Sequence, residues 1–148
     1  MINVANFSDI SIESGIPDYR SEGVGLYATS SKRPVQHKVF MDNPKARRSY
    51  WARNFICCPR WSSFQPNSAH LSLANWERSG RVGSLVTQNV DQLHYKAGSR
   101  SVIEPHGTSS VVTCMSCRYN IPRITFQRRL EQLNLFFSQN GGGAFYRL

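Results

Sequence analysis

The feature that most constrains this chain is an apolar run that ends in a polar cluster. Val82 to Val86, with Gly83 and Ser84 inside it, reads as a short buried strand. Gln88, Asn89 and Asp91 follow within a few positions, and then Leu93 and His94. A strand that passes through hydrogen-bonding side chains into a helix is where an open α/β sheet keeps its ligands. The same residues also suit an ordinary loop with an Asx turn and a helix cap. Spacing alone does not separate the two readings, so the rest of the chain has to.

Two helices precede the strand. Lys45 to Ile56 is predicted helical, with Ala46, Tyr50 and Phe55 sharing a broad apolar face with Trp51. Pro44 suits its start, and Cys57-Cys58-Pro59 is expected to end it. The second helix opens at Pro66-Asn67-Ser68, with Asn67 or Ser68 as N-cap. It puts Ala69, Leu73 and Trp76 at helical spacing and stops at Gly80. His70, in its first turns, has no partner at metal spacing and reads as a packing or surface residue.

After the strand, Gln92 to Ala97 is a short helix ended by Gly98. Val102 to Glu104 is a second short strand that runs into Pro105-His106-Gly107. A histidine at a strand end beside a glycine is placed to face a cleft, and an imidazole suits general-base work near neutral pH. A lone histidine is also read as structural. Upstream, Ser14-Gly15-Ile16-Pro17-Asp18-Tyr19-Arg20 is a loop able to close over a polar ligand, with Arg20 available for phosphate. Read alone, the stretch is better taken as a surface turn with a chance Asp-x-Arg pair.

Val111-Val112-Thr113 leads to Cys114-Met115-Ser116-Cys117. One C-x-x-C is half of a tetrahedral zinc site. No cysteine or histidine follows Cys117, and the adjacent Cys57 and Cys58 are poor candidates for the missing pair. A redox pair or two unengaged thiols are the alternatives. Ile124 to Phe137 is expected as an amphipathic helix with Phe126, Leu130, Leu133 and Phe137 on one face. The Gly-rich tail, 138–148, reads as flexible.

The 148 residues are 40% hydrophobic and 11% aromatic, enough for one domain with a core. The formal net charge of +9 invites an anionic partner. The basic residues are scattered, however, and the tightest groups, Lys45 with Arg47 and Arg48, and Arg128 with Arg129, read as solvated surface. No nucleic-acid partner is expected, and no stretch is apolar enough to span a membrane. Met1 to Ile12 has no basic residue and carries Asp9, so neither a secretory signal nor an Arg-rich presequence is expected there. Without a secretory signal, the four cysteines do not suggest a disulfide framework.

Taken together, the pieces resemble the sirtuin family. They are Ser14 to Arg20, Thr87-Gln88-Asn89-Val90-Asp91 with Leu93-His94, Ala97-Gly98-Ser99, His106-Gly107 and Cys114-x-x-Cys117. Arg33 to His37, Tyr50 to Phe55 and Gln65-Pro66-Asn67 are similar to the family's mitochondrial, sirtuin-four type. The resemblance covers roughly Ile10 to Leu135.

It implies an α/β fold: an incomplete Rossmann-type parallel sheet with the start of a small zinc-binding module. Residues 1–137 would be a partial catalytic domain, 1–107 the Rossmann part and 108–137 the start of the zinc-binding and helical module. It implies an NAD-dependent deacylase acting on lipoyl- and other acyl-lysines of proteins, or an ADP-ribosyltransferase, in the mitochondrial matrix. Ile16, Asp18, Tyr19, Arg20, Gln88, Asn89, Val90 and Asp91 match the NAD-binding positions. His106 matches the general base, with Asn89 beside it. Cys114 and Cys117 match half of a structural zinc site.

The sequence departs from the family in several places. Phe7-Ser8-Asp9-Ile10-Ser11 stands where Gly-Ala-Gly-x-Ser is usual. Phe7 is expected to crowd the pyrophosphate and Asp9 to repel it. The first Rossmann strand is expected to be missing or replaced, and Pro105 stands where a leucine is usual. The second cysteine pair and the later strands are absent. The expectation is a truncated form of such an enzyme; the alternative is an inactive fragment acting at most as a binding partner.

Overall fold

The computed structural model describes residues 2–6, 8–17 and 33–135. Contacts within the chain divide it into two compact units. The first joins Met1–Lys32 to Ser63–Ser110, and the second joins Arg33–Ser62 to Val111–Leu148.

The first unit is built on a three-stranded parallel sheet. Strand β1 (Ile2–Asn6) pairs with β2 (Val82–Thr87), which pairs with β3 (Val102–Ile103), so β2 is central. Val4 lies opposite Leu85, and Leu85 opposite Val102. Of the two expectations for the first strand, missing or replaced, the first does not hold: Ile2–Asn6 forms a strand whose backbone completes the ladder along β2. Helix α3 (Ser68–Arg78) packs on β2. Leu73, Val82 and Leu85 form the core, with Val4, Ile10 and Val102 packed around it. Removing such side chains from water supplies most of what holds a small layer together.

The predicted cap of α3 is observed. Asn67 Oδ1 accepts from the backbone N–H groups of Ala69 and His70 at 3.0 and 3.3 Å. The buried face differs from the predicted one: His70, Leu73 and Ala74 point inward, and Trp76 is 48% exposed. The helix ends at Gly80 as expected, and Glu77 Oε1 accepts from the N–H groups of Arg100 and Ser101, fixing the approach to β3. Helix α4 (Leu93–Lys96) lies in the β2-to-β3 crossover that a parallel pair requires.

The second unit contains α1 (His37–Asp42), α2 (Pro44–Ser63), a hairpin of β4 (Val111–Thr113) with β5 (Asn120–Pro122), and α5 (Arg123–Leu133). Arg47 was expected to be solvated. Its guanidinium instead donates to the carbonyls of Phe40 and Met41, satisfying the open end of α1.

Helix α2 also runs past its expected stop, continuing through Pro59 to Ser63. A proline inside a helix leaves the carbonyl four residues earlier without its N–H donor. Here that carbonyl belongs to Phe55, and the buried side chain of Gln127 supplies a donor from Nε2 at 3.1 Å. The preceding carbonyl, of Asn54, accepts from Arg123 Nη2 at 2.9 Å. Trp51 meets Phe126 with ring centroids 4.8 Å apart. On α5, Phe126 and Leu130 are half-buried as expected, Leu133 is 74% exposed, and Phe137 lies outside the described residues.

Candidate active site

The C-terminal end of β2 carries the cluster. Thr87, the last strand residue, is buried, and its Oγ1 accepts from the Asn89 N–H at 3.1 Å. That contact turns the chain so that Asn89 and Asp91 approach each other. Asp91 Oδ1 accepts from the Leu93 N–H at 2.9 Å, an Asx turn that starts α4. The loop reading was correct as far as this oxygen. The other oxygen, Oδ2, accepts from Ser11 Oγ at 2.7 Å and from Asn89 Nδ2 at 3.2 Å.

Ser11 is the residue that links these groups. It is fully buried in the 3₁₀ helix Ser8–Ser14, and its hydroxyl also accepts from Asn89 Nδ2 at 2.8 Å. Asn89, Asp91 and Ser11 thus close a triangle of hydrogen bonds. The carboxylate orients the serine, and both orient the carboxamide. Among the described residues Asn89 Oδ1 accepts no hydrogen bond, so this oxygen is what the triangle offers to an N–H donor of a ligand. Sequence reading passed over Ser11, although it is the serine that ends the altered Gly-Ala-Gly-x-Ser stretch.

The neighbouring loop is tied to this one through Gln92. Gln92 adopts a left-handed conformation, φ 68°, and its Nε2 donates to Glu104 Oε1 at 2.7 Å and to Thr108 Oγ1 at 2.6 Å. Burial pushes the Glu104 carboxyl above its usual range, against the opposing pull of the Gln92 hydrogen bond. Val90 carbonyl accepts from the Ser109 N–H at 3.1 Å. Between these anchors Glu104-Pro105-His106-Gly107 forms a β-turn closed by Gly107 N–H to Glu104 O at 3.0 Å. Pro105 suits its second position, and Gly107 takes φ +80°. His106 is exposed at the tip. Its turn is anchored to Gln92, next to Asp91, and no direct side-chain contact joins His106 to Asn89 or Asp91 among the described residues.

Of the other predicted residues, Gln88 is exposed and Val90 half-buried. Ile16 is half-buried, and its N–H donates to Ser11 O at 3.3 Å. Gly15, with φ +90°, makes that return possible, and a Cβ there would meet the Phe64 ring at 3.4 Å. Asp18, Tyr19 and Arg20 lie outside the described residues, as does Phe7. Asp9 is exposed.

Cys114 and Cys117 follow β4 and are exposed, and none of the four cysteines is in a disulfide. Hydrogen bonds from the backbone of Cys117 and Ser116 hold the Cys114 thiol below its usual range, which favours the thiolate that a metal needs. Two donors are not a tetrahedral set. Among the described residues no group of three or more His, Cys, Asp or Glu could hold a metal, so a zinc module is not established. No helix among the described residues is long and apolar enough to cross a membrane.

The family model described as Sir2 matches residues 8–143. The chain belongs to the Sir2 family. A Drosophila melanogaster NAD-dependent protein deacylase, Sirt4, is 58% identical over 128 residues, covering 86% of this chain and 41% of the relative. The human NAD-dependent protein lipoamidase sirtuin-4, mitochondrial, is 52% identical over 134 residues, covering 90% of this chain and 43% of the relative. The chain therefore spans less than half the length of these two relatives. A solved structure of Sir2 with a p53 peptide and NAD+ superposes with a TM-score of 0.70 at 29% identity, over 87% of this chain and 50% of that one. The expected Sir2 membership and α/β fold with a parallel sheet are thus borne out.

Proposed function

We propose that this chain carries the NAD-facing part of a Sir2-type protein-lysine deacylase of the lipoamidase kind, with ADP-ribosyl transfer as a second outcome of the same chemistry. The observation that carries the reading is the Ser11–Asn89–Asp91 triangle at the end of the central strand. Asn89, with Oδ1 turned to a ligand, would hold a carboxamide such as that of nicotinamide. Asp91 would fix Asn89 and Ser11 in that pose. Ile16, Asp18, Tyr19, Arg20, Gln88 and Val90 would complete the binding surface, and Arg20 would meet phosphate. NAD supplies, when bound, an ADP-ribosyl group with nicotinamide as the leaving group. His106 would be the general base, taking a proton at its imidazole from a hydroxyl of the bound ligand. The anchoring of its turn through Gln92 supports this, because it keeps the histidine on the loop beside Asp91.

Acyl-lysine segments of proteins would be the partners, as the relatives' names suggest, and the compartment would be mitochondrial, its matrix in particular. Cys114 and Cys117 would contribute two thiolates to a structural zinc remote from the reaction. Residues 1–107 would be the Rossmann part and 108–137 the start of the zinc-binding and helical module.

The test is nicotinamide release from NAD by the purified chain in the presence of a lipoyl-lysine peptide. Release is expected, and His106→Ala is expected to lower it by about a hundredfold or more, the usual contribution of a positioned base. Release no greater than that of the His106→Ala chain would overturn the reading.

A further inference from the structure

We propose that the groove between α2 and α5 docks an acidic peptide segment of a protein partner, seating one aliphatic side chain between carboxylates. The groove lies wholly in the second unit, which holds none of the residues assigned to NAD, so the inference does not rest on that assignment.

The floor of the groove is apolar. Pro44 and Trp51 of α2 and Phe126 and Leu130 of α5 line a depression of about 690 Å³. That size falls among ligand clefts, which run from about 300 to 1,000 Å³. The rim is cationic, formed by Arg47 and Arg48.

Charge selects the occupant. The second unit contains twelve of the 18 Lys and Arg residues, against only Asp42 and Glu131 of the nine Asp and Glu. Basic residues that look scattered along the sequence are thus gathered in one unit. Arg48 is exposed and forms no hydrogen bond or ion pair among the described residues. The same holds for Arg128 and Arg129, both exposed on α5. Arg47 makes its two bonds from Nη1, which leaves the N–H groups of Nη2 and Nε for a carboxylate. Glu131 Oε1, one of the two local carboxylates, is already occupied by Gln127 Nε2 at 3.1 Å.

Other occupants fit less well. A second copy of the same face would bring like charges together. A nucleic acid needs an aromatic face on which its bases stack. Trp51 is instead packed by Phe126 at 4.8 Å, by Arg123 at 5.9 Å and by the Tyr50 ring edge-on at 5.3 Å. An anionic membrane takes apolar side chains that project outward, whereas these line a depression. An acidic peptide meets both demands, with carboxylates on the rim and an apolar side chain on the floor.

The experiment is fluorescence anisotropy of the full chain with a dye-labelled, end-blocked peptide, Glu-Glu-Leu-Glu-Glu, at low salt. NMR shifts of the chain show where the peptide lands. Binding is expected to move the Trp51 indole N–H and the amides of α2 and α5, and to weaken as salt rises. Arg48→Glu should weaken it about tenfold, the loss of one charge-assisted hydrogen bond. Arg81→Glu, the same charge reversal at an exposed position of the first unit, should leave it unchanged. Replacing the peptide's leucine by glycine keeps every charge and should weaken binding about tenfold or more, the contribution of one buried leucine.

Absence of binding, or shifts confined to the first unit, would overturn the proposal. Equal losses in Arg48→Glu and Arg81→Glu, or equal binding of the leucine and glycine peptides, would reduce the contact to a diffuse field of charge and overturn it too. Arg48-dependent binding that is tighter to single-stranded DNA or to vesicles containing phosphatidylglycerol would give the surface to a different partner. Dimerisation that Arg48→Glu abolishes would give it to a second copy, and either result overturns the proposal. No readout uses NAD, so an absence of nicotinamide release would count against the proposed function alone.

Discussion

Asn67 joins two parts of the chain that are far apart in sequence. Its oxygen caps α3, and its nitrogen holds Ile10 O. Asn67→Ala should therefore lower unfolding stability by about 1–2 kcal/mol, read as a lower urea midpoint. Asn67→Ser should recover the cap but not the grip on Ile10, and fall between. The cap could be read in the sequence, because an asparagine before Ser68-Ala69-His70 has few other roles. The grip could not, since a short-range pattern does not say which carbonyl fifty-seven residues away will lie beside it. Ser11 was missed for the same reason. Its partners Asn89 and Asp91 are 78 and 80 residues distant. Asp91 was found because its Asx turn is local.

At the level of elements, α2 shows how a tertiary contact overrides a local rule. Pro59 should stop a helix, and the pattern up to Ile56 suggested that it does. Gln127 changes the outcome by donating to the carbonyl that Pro59 leaves bare. Gln127→Ala is thus expected to cost about 1–3 kcal/mol, the penalty for an unpaired buried acceptor. In a Pro59→Ala background, the restored N–H should reduce that cost to a fraction of its value. A chemical-denaturation double-mutant cycle would measure the difference, and equal costs in both backgrounds would show that the two residues do not act on the same carbonyl. Strand β1 is a second case. Ile2 to Asn6 has two asparagines among its five residues, which hides a strand whose place is set by pairing with β2. Strand β2, apolar and central, could be read directly.

For the molecule as a whole, the two buried histidines contribute to the acid response of the first unit. The rings of His70 and His94 lie with centroids 4.8 Å apart. Burial, with the neighbouring His70 adding to it, pushes His94 from 6.5 down to about 4, against the pull of Asp91 and Glu77. Burial lowers His70 as well, with Asp91 opposing. A histidine whose folded value is depressed takes up its proton first in the unfolded chain. Stability from these neutral rings is therefore complete above about pH 6.5 and is lost as the pH falls toward 4. The urea midpoint should fall over that interval in the wild-type chain and fall less steeply in His94→Gln. Parallel curves would show that the ring is not the group responsible.

The pairing of Pro59 with Gln127 also bears on how related sequences should vary. A homologue with an ordinary residue in place of the proline has no bare carbonyl, so selection for a carboxamide on the distant helix disappears. Positions 59 and 127 should then drift together across species, the imino acid and the amide being gained or lost as a couple.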